Sequence, residues 1–283
     1  MAKIDVLKEV SDSFRLIKEH YKEVAVLLFA IFFLQVIIGF SSRLAVNYLS
    51  LPLDDADALG KTVAQSMASA SSLNSALFTL AIFAVILIFI FSILERALFF
   101  CACEHFYSLL CGKKPSTDWK SRIAHFSWKS FVLAVFNIII SLAFFALPLL
   151  ALYSAFVSSD ASAGIGLLLS AIPTLAIAAL AYVALMFCLS LLFVYYAMDG
   201  LPFFDSISRS LMMVIGNLWV FFILFLVFFA FSLAASLISI AACCLSFLVF
   251  PLLGVFLGLL YGVTLMKIRL ALDERNRPFP QAH

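Results

Sequence analysis

The sequence predicts an all-α membrane protein whose six transmembrane helices form three parallel repeats, each an interfacial amphipathic helix followed by a helical hairpin. Composition is the first observation: 65% of the 283 residues are hydrophobic and 12% are charged, whereas soluble domains contain about 45–50% and about 25%. The second is the length of the uncharged segments Ala161–Met198 and Ser210–Met266, since roughly 20 apolar residues cross a bilayer. The third is an amphipathic segment that precedes a span three times along the chain.

Six apolar segments are predicted to span the membrane. They are Val24–Tyr48, Ser75–Arg96, Phe131–Val157, Ile172–Met198, Leu218–Ile240 and Ala242–Met266. The last two lie in one uncharged segment that is too long for a single crossing, so the chain must turn within it. Small and polar residues mark the expected turn: Ser236, Ser239, Ala241, Ala242 and Ser246.

Three amphipathic segments, Met1–Tyr21, Ser116–Trp128 and Asp205–Ile215, precede the odd-numbered spans. Apolar residues recur in them at helical spacing, with charged residues opposite. These apolar residues are Ile4, Leu7, Val10, Phe14, Ile17 and Tyr21 in the first, Trp119, Ile123 and Phe126 in the second, and Ile207, Leu211 and Val214 in the third. Such helices lie in the membrane interface, so we expect all three to run along the membrane surface, roughly perpendicular to the spans.

The three segments define a repeat. Its copies are residues 1–112, 113–200 and 201–283, which together form one integral membrane domain. Aromatic side chains that favour the headgroup level stand at matching places, namely Tyr21, Trp128 and Trp219. Three parallel repeats around an axis along the membrane normal are the simplest arrangement with this pattern.

The distribution of basic residues predicts the orientation. Of the 18 lysines and arginines, only Arg43 and Lys61 fall outside the regions assigned to one side of the membrane. Because cytoplasmic loops are enriched in these residues, both termini and the region Gly112–Trp128 are predicted to be cytoplasmic. Asp54–Lys61 then lies outside.

A polar island, Tyr195–Ser210, separates the two longest uncharged segments. We interpret it as a structural elbow: Asp199 ends a span, Gly200–Pro202 turns the chain, and Asp205 or Ser206 caps the next helix. Asp205 can pair with Arg209 one turn later. Asp199 can be neutralised by a basic residue at a neighbouring span end. The predicted charge network at the cytoplasmic end comprises Glu95, Arg96, Asp199, Asp205, Arg209, Lys267 and Arg269.

Polar side chains inside the spans are the remaining candidates for a site. Gln35, Asn137 and Tyr182 are expected either to form interhelical hydrogen bonds or to line a cavity. Glu95 and Arg96 are placed at the end of the second span, so no span carries a charge at mid-depth. A proton- or ion-coupled carrier usually has such a charge, and coupled transport is therefore disfavoured.

No pattern in the chain indicates catalysis, a cofactor or a metal. Cys101, Cys103 and His105 form C-x-C-x-H, but on a helix Cys103 points away from the other two. Zinc-protease, nucleophile-elbow, P-loop and dinucleotide motifs are all absent from the sequence. We therefore expect a protein that is not an enzyme and has no catalytic, cofactor-binding or metal-binding residues.

The elbow also carries a family resemblance. Tyr195, Tyr196, Asp199, Ser206 and Ser210, in a six-span chain of this size, resemble a group of prokaryotic proteins that includes the YciC-type inner-membrane proteins and the membrane-anchor domain of some glycerophosphodiester phosphodiesterases. The resemblance implies a multi-pass protein of a prokaryotic plasma membrane. It implies no phosphodiesterase activity, because no soluble phosphodiesterase domain accompanies these spans.

The expected function is a non-enzymatic role in envelope or lipid organisation. The amphipathic helices would grip the cytoplasmic leaflet, with anionic lipid headgroups as partners and no nucleic acid. The alternative is an uncoupled transporter or lipid-handling protein with a cavity on the pseudo-threefold axis, lined by Gln35, Asn137 and the even-numbered spans.

Overall fold

A computed structural model describes residues 4–49, 71–115, 118–157, 161–241 and 246–276. These residues form seven α-helices and one π-helical turn, Val194–Met198. The α-helices are α1 (Val6–Leu49), α2 (Ser71–Leu110), α3 (Trp119–Val157), α4 (Ala161–Cys188), α5 (Phe203–Gly216), α6 (Leu218–Ala241) and α7 (Ser246–Asn276). The predicted outer loop Asp54–Lys61 lies outside the described residues.

All helices except α5 contain a segment long and apolar enough to cross a membrane. The prediction of an all-helical, six-span membrane protein is thereby confirmed at the level of length and composition. The boundary between the last two spans lies at the C-terminal side of the predicted turn, because α6 ends at Ala241 and α7 begins at Ser246, whereas Ser236 and Ser239 belong to α6. Residues 242–245 themselves lie outside the described part of the chain.

Two of the three amphipathic segments are not separate helices. The first is the beginning of α1, and the second is the beginning of α3, each continuing without a break into its span. Only the third, Phe203–Gly216, is a helix of its own. Neither Tyr21 nor Trp128 is followed by a Gly or Pro that would end a helix, so the intrahelical hydrogen bonds continue into the span.

The helix α1 is nevertheless bent. In a straight helix Phe14 and Gln35 would be about 32 Å apart. Both side chains contact one short stretch of α7: the rings of Phe14 and Phe256 lie 6.0 Å apart, and Gln35 Oε1 lies 3.8 Å from the place a Cβ on Gly254 would take. The N-terminal part of α1 must therefore turn away from the axis of its span.

The beginning of α3 does not turn in this way relative to α2. Trp119 stacks on His105, Phe126 packs on Phe100, and Phe131 packs on Phe89. These contacts advance steadily down α2 as α3 proceeds, so the two helices lie side by side and antiparallel. The expectation of a segment perpendicular to the spans is therefore wrong for α3 with respect to α2.

Two predicted span boundaries also differ. The second span does not end at Arg96, because α2 continues to Leu110 and carries Glu95 within the helix. The fourth does not reach Met198, because α4 ends at Cys188 and a turn precedes the π-helical segment. Ser210 Oγ donates a hydrogen bond to the carbonyl oxygen of Cys188, at 3.1 Å, and satisfies one of the acceptors that the helix end exposes.

The helices form three packed hairpins, α1 with α2, α3 with α4, and α6 with α7. The first hairpin joins the second through α2 and α3, and it joins the third through α1 and α7. Between the second and third hairpins, α4 and α6 do not pack along their length, although the rings of Phe187 and Phe225 meet at 5.9 Å. The arrangement is thus a ring that is open on one side.

The best-packed part of the bundle lies at one end, called the polar end here, where α1 and α3 begin and α2 and α7 finish. Buried side chains concentrate in Ala97–Phe106 of α2 and Leu259–Leu272 of α7. Glycines at helical spacing, Gly254, Gly258 and Gly262, let α7 approach its neighbours. A Cβ on Gly262 would lie only 3.1 Å from Cys103 Sγ.

Candidate functional site

The polar island forms an elbow between α4 and α5. After the π-helical turn, the amide of Leu201 donates to the carbonyl oxygen of Tyr195 at 3.1 Å. Gly200 adopts a φ of 69°, which is accessible to Gly without a Cβ clash. Pro202 occupies the N-cap position of α5, and no side chain caps that helix. The expected capping by Asp205 or Ser206 is therefore wrong, although the interpretation of this stretch as a turn agrees with the structure.

Arg269 of α7 holds the elbow through Asp199. Its Nη2 lies 2.8 Å from Asp199 Oδ2, and each side chain is 14% exposed. Tyr107 of α2 joins them, since its hydroxyl donates to Asp199 Oδ1 at 2.6 Å and accepts from Arg269 Nη1 at 3.0 Å. Arg269 Nε also lies 3.0 Å from Asp273 Oδ2. One guanidinium thereby links α2, the elbow and α7.

Lys129 of α3 holds the elbow from the other side. Its Nζ donates to the carbonyl oxygen of Ala197 at 3.1 Å and lies 5.8 Å from the ring centre of Tyr196. Burial raises the pKa of Tyr195 and of Tyr196, so both phenols stay protonated at neutral pH. The elbow is therefore held in place by contacts with three helices, α2, α3 and α7.

The predicted charge network divides into separate groups. Asp199 pairs with Arg269, whereas Lys267 lies 3.1 Å from Glu9 and 3.5 Å from Asp12 at the beginning of α1. Asp205 and Arg209 are both exposed, and no ion pair joins them or engages Arg96 within the described part of the chain. The expected Asp205–Arg209 pair is therefore not formed.

The polar residues inside the spans form two hydrogen-bonded pairs. Tyr182 Oη donates to Asn137 Oδ1 at 2.8 Å and joins α4 to α3. Gln35 Nε2 donates to Glu95 Oε1 at 2.7 Å and joins α1 to α2. Of these four side chains, Tyr182 also contributes to the wall of a cavity.

A cavity of about 560 Å³ fills the opening between α4 and the α6–α7 hairpin. Its walls are mainly apolar and include five phenylalanines, with hydroxyl groups from Tyr182, Ser232, Ser236 and Tyr261. Phe229 and Phe250 line it and are also more than half exposed. The cavity therefore opens sideways on the bundle surface, between two hairpins, and its walls include neither Gln35 nor Asn137.

A second pocket, of about 440 Å³, lies at the polar end beside α5. Arg209, Gly216 and Asn217 contribute from α5 and its C-terminus, and Arg269 and Asp273 contribute from α7. Tyr195 of the elbow completes the wall. The wall of this pocket is part polar and part apolar, with two arginines, one aspartate and two methionines.

The helix α5 has three distinct faces at 3.6 residues per turn. Ser206, Ser210 and Val214 are fully buried against the bundle. An exposed apolar face carries Phe204, Met212 and Ile215, and an exposed charged face carries Asp205 and Arg209. The buried face therefore differs from the apolar face that the sequence predicts. Two serines, rather than Ile207 and Leu211, pack against the bundle.

Sequence reasoning missed several residues that hold the elbow and the bundle together. Nothing local marks Tyr107, because its partners Asp199 and Arg269 are distant in the chain. The sequence indicates Lys129 only as one of the basic residues that predict the cytoplasmic side. The repeated spacing of Gly254, Gly258 and Gly262 is a recognisable signal for close helix packing. In the described ranges no three His, Cys, Asp or Glu side chains group closely enough to hold a metal ion.

Comparison of the chain with protein-family models, with curated proteins and with solved structures finds no match.

Proposed function

We propose that this chain is a non-enzymatic protein of a prokaryotic plasma membrane that organises lipid. Its polar end faces the cytoplasm, and it binds lipid of that leaflet with the interfacial helix α5 and with the lateral cavity. The observation that carries this proposal is the opening between α4 and α6, lined by apolar side chains and continuous with the exposed surface. In a bilayer such an opening adjoins acyl chains rather than water.

The faces of α5 support the same proposal. Phe204 and Met212 are 81% and 73% exposed, which suits insertion into the boundary of headgroups and acyl chains. Asp205 and Arg209 occupy the face that would meet water. At the beginning of α1, Leu7 and Tyr21 are also exposed, while Val10 and Ile17 pack against the bundle. Trp128 and Trp219, each 66% exposed, suit the headgroup level.

Filling the cavity tests the proposal. Ser232 lines the cavity and is exposed, so Ser232→Trp should occupy the space without disturbing the packed helices. The matched control is Ala234→Trp, because Ala234 is exposed on the same helix and does not line the cavity. Lipid retained through purification in a maltoside detergent is quantified by mass spectrometry. The proposal expects retained lipid to fall in Ser232→Trp alone; equal retention in both variants would refute it.

A second candidate is uncoupled transfer of lipid across the membrane. The cavity extends along α6 from Phe225 to Ser236, a rise of about 16 Å, or roughly half the hydrocarbon thickness. A path of this length would shelter a headgroup for part of its crossing, with Ser232, Ser236 and Tyr182 as polar contacts. Faster loss of a fluorescent lipid from the inner leaflet of proteoliposomes, abolished by Ser232→Trp, would support this function, whereas a rate equal to that of empty vesicles would exclude it.

A further inference from the structure

We propose that the pocket beside α5 binds the phosphate of a glycerophospholipid whose acyl chain lies in the lateral cavity. The two pockets would then be the two halves of one lipid site. This inference rests on the proposed function for the acyl-chain half, and it adds the headgroup half and the residue that selects it.

Arg209 is the cation available to a ligand in this pocket. It is exposed and makes no hydrogen bond or ion pair within the described ranges. Arg269, in contrast, is already engaged by Asp199, Tyr107 and Asp273. An arginine fork matches the geometry of phosphate oxygens, so Arg209 is suited to hold a phosphodiester at the mouth of the pocket.

Arg209 and the one carboxylate in the wall are not paired with each other. Asp273 Oδ2 lies 3.0 Å from Arg269 Nε, and Arg269 is also paired with Asp199. Arg209, Arg269, Asp199 and Asp273 together carry no net charge. A phosphodiester would therefore be held by direct hydrogen bonds from the Arg209 guanidinium rather than by a net positive charge of the pocket.

The spacing between the pockets is within the length of one lipid. Along α6 the walls are separated by the interval from Asn217 to Phe225. This interval is eight residues, a rise of about 12 Å. Leu218 and Phe222 within it are exposed, whereas the facing part of α7 is buried. The part of the lipid between its phosphate and its acyl chain would therefore lie against the exposed side of α6.

The position of α5 places the pocket at the depth of phosphate groups. Met212 contributes to the pocket wall and belongs to the exposed apolar face, whereas Arg209 belongs to the charged face. The pocket thus lies on the boundary between the two faces. A soluble phosphate ion would make no favourable contact with the apolar part of this wall or with the cavity beyond it. A lipid is therefore the favoured source of the phosphate.

The test measures binding of defined ligands to the full chain in a maltoside detergent, by native mass spectrometry. The probes are a phosphatidylglycerol, the diacylglycerol with the same acyl chains, and inorganic phosphate as a competitor. We expect phosphatidylglycerol to bind about tenfold or more tightly than diacylglycerol, since hydrogen bonds to charged groups are worth at least that ratio. Inorganic phosphate should not compete.

Variants separate the two halves of the site. Arg209→Gln should bring the affinity for phosphatidylglycerol down to that for diacylglycerol, whereas Lys120→Gln, which removes an exposed charge elsewhere at the polar end, should change neither. Ser232→Trp should weaken both lipids. Arg209→Gln is not expected to alter folding, and thermal unfolding checks this.

The outcomes are distinguishable. If Ser232→Trp weakens binding but Arg209→Gln does not, the headgroup inference fails and the proposed function stands. If only Arg209→Gln weakens binding, the lateral cavity is not the acyl-chain site and both proposals fail as stated. Competition by inorganic phosphate would identify an ion site and overturn the assignment to lipid.

Discussion

Arg269 Nη2 and Asp199 Oδ2, on elements separated by most of the third repeat, lie 2.8 Å apart, and both side chains are largely buried. Tyr107 bonds to both members of the pair. The contact explains why a polar island interrupts two long apolar segments: the aspartate that follows the broken fourth span anchors it to the last helix.

Breaking the Asp199–Arg269 pair should destabilise the protein. Asp199→Asn leaves Arg269 with its ion pair to Asp273 and its hydrogen bond to Tyr107, so we expect a loss of about 2 kcal/mol in the free energy of unfolding. The measurement is unfolding by titration with dodecyl sulfate in mixed micelles. Arg269→Gln and the double variant complete a double-mutant cycle, which should show a coupling of about 1–2 kcal/mol. Purely additive losses would mean that the pair contributes nothing.

Lys129 should restrain the elbow backbone. Lys129→Met keeps most of the apolar stem but removes the donor to the Ala197 carbonyl oxygen. We expect hydrogen exchange at the amides of residues 194–201 to rise several-fold, because the free energy of local opening falls by about 1–2 kcal/mol. Lys120→Met, at an exposed position of the same helix, is the control. Unchanged exchange in the elbow would contradict this role.

The glycines of α7 should differ in their tolerance of alanine. Gly262→Ala would place a Cβ 3.1 Å from Cys103 Sγ, and we expect a loss of about 1–2 kcal/mol from overpacking. Gly258→Ala meets its nearest neighbour, Phe99, at 3.6 Å and should be neutral or slightly stabilising. Adding Cys103→Ala to Gly262→Ala should recover part of the loss. If both single variants behave alike in thermal unfolding, the close approach of α7 to α2 is not as described.

Gln35 and Glu95 should be energetically coupled. Gln35→Leu leaves a half-buried carboxyl group without its amide donor, at a cost of about 1–3 kcal/mol. The double variant with Glu95→Leu removes both polar groups and should be more stable than Gln35→Leu alone, because no unsatisfied group remains. Thermal unfolding in detergent checks the order of stabilities, and a double variant less stable than both single variants would contradict it.

Cysteine labelling checks the proposed orientation. In a Cys111→Ser background, which removes an exposed native thiol, Lys61→Cys should react with a membrane-impermeant maleimide added to intact cells. Lys120→Cys should react only after the cells are opened, because the distribution of basic residues predicts that this end of the helix is cytoplasmic. Labelling of position 120 in intact cells would show that the orientation is the reverse of the proposed one.

The sequence by itself determined the membrane class, the six spans and the elbow between the two longest apolar segments. Hydrophobic length and the scarcity of charge act locally, so each span could be read from its own residues. The amphipathic pattern also acts locally, and the described parts of all three segments are largely helical. It did not determine whether each amphipathic segment would form a separate helix, because the intrahelical hydrogen bonds continue into the span wherever no residue ends the helix.

The tertiary structure alone decided the partners and the opening. Glu95 was placed at a span end, but α2 continues past it and brings it to Gln35. Asp199 had several possible cations, and the packing of α7 selects Arg269. Most decisively, the ring of hairpins stays open between α4 and α6, which no local pattern encodes. Interhelical contacts depend on which faces meet across the bundle, and that choice is made by the packing of residues far apart in the chain.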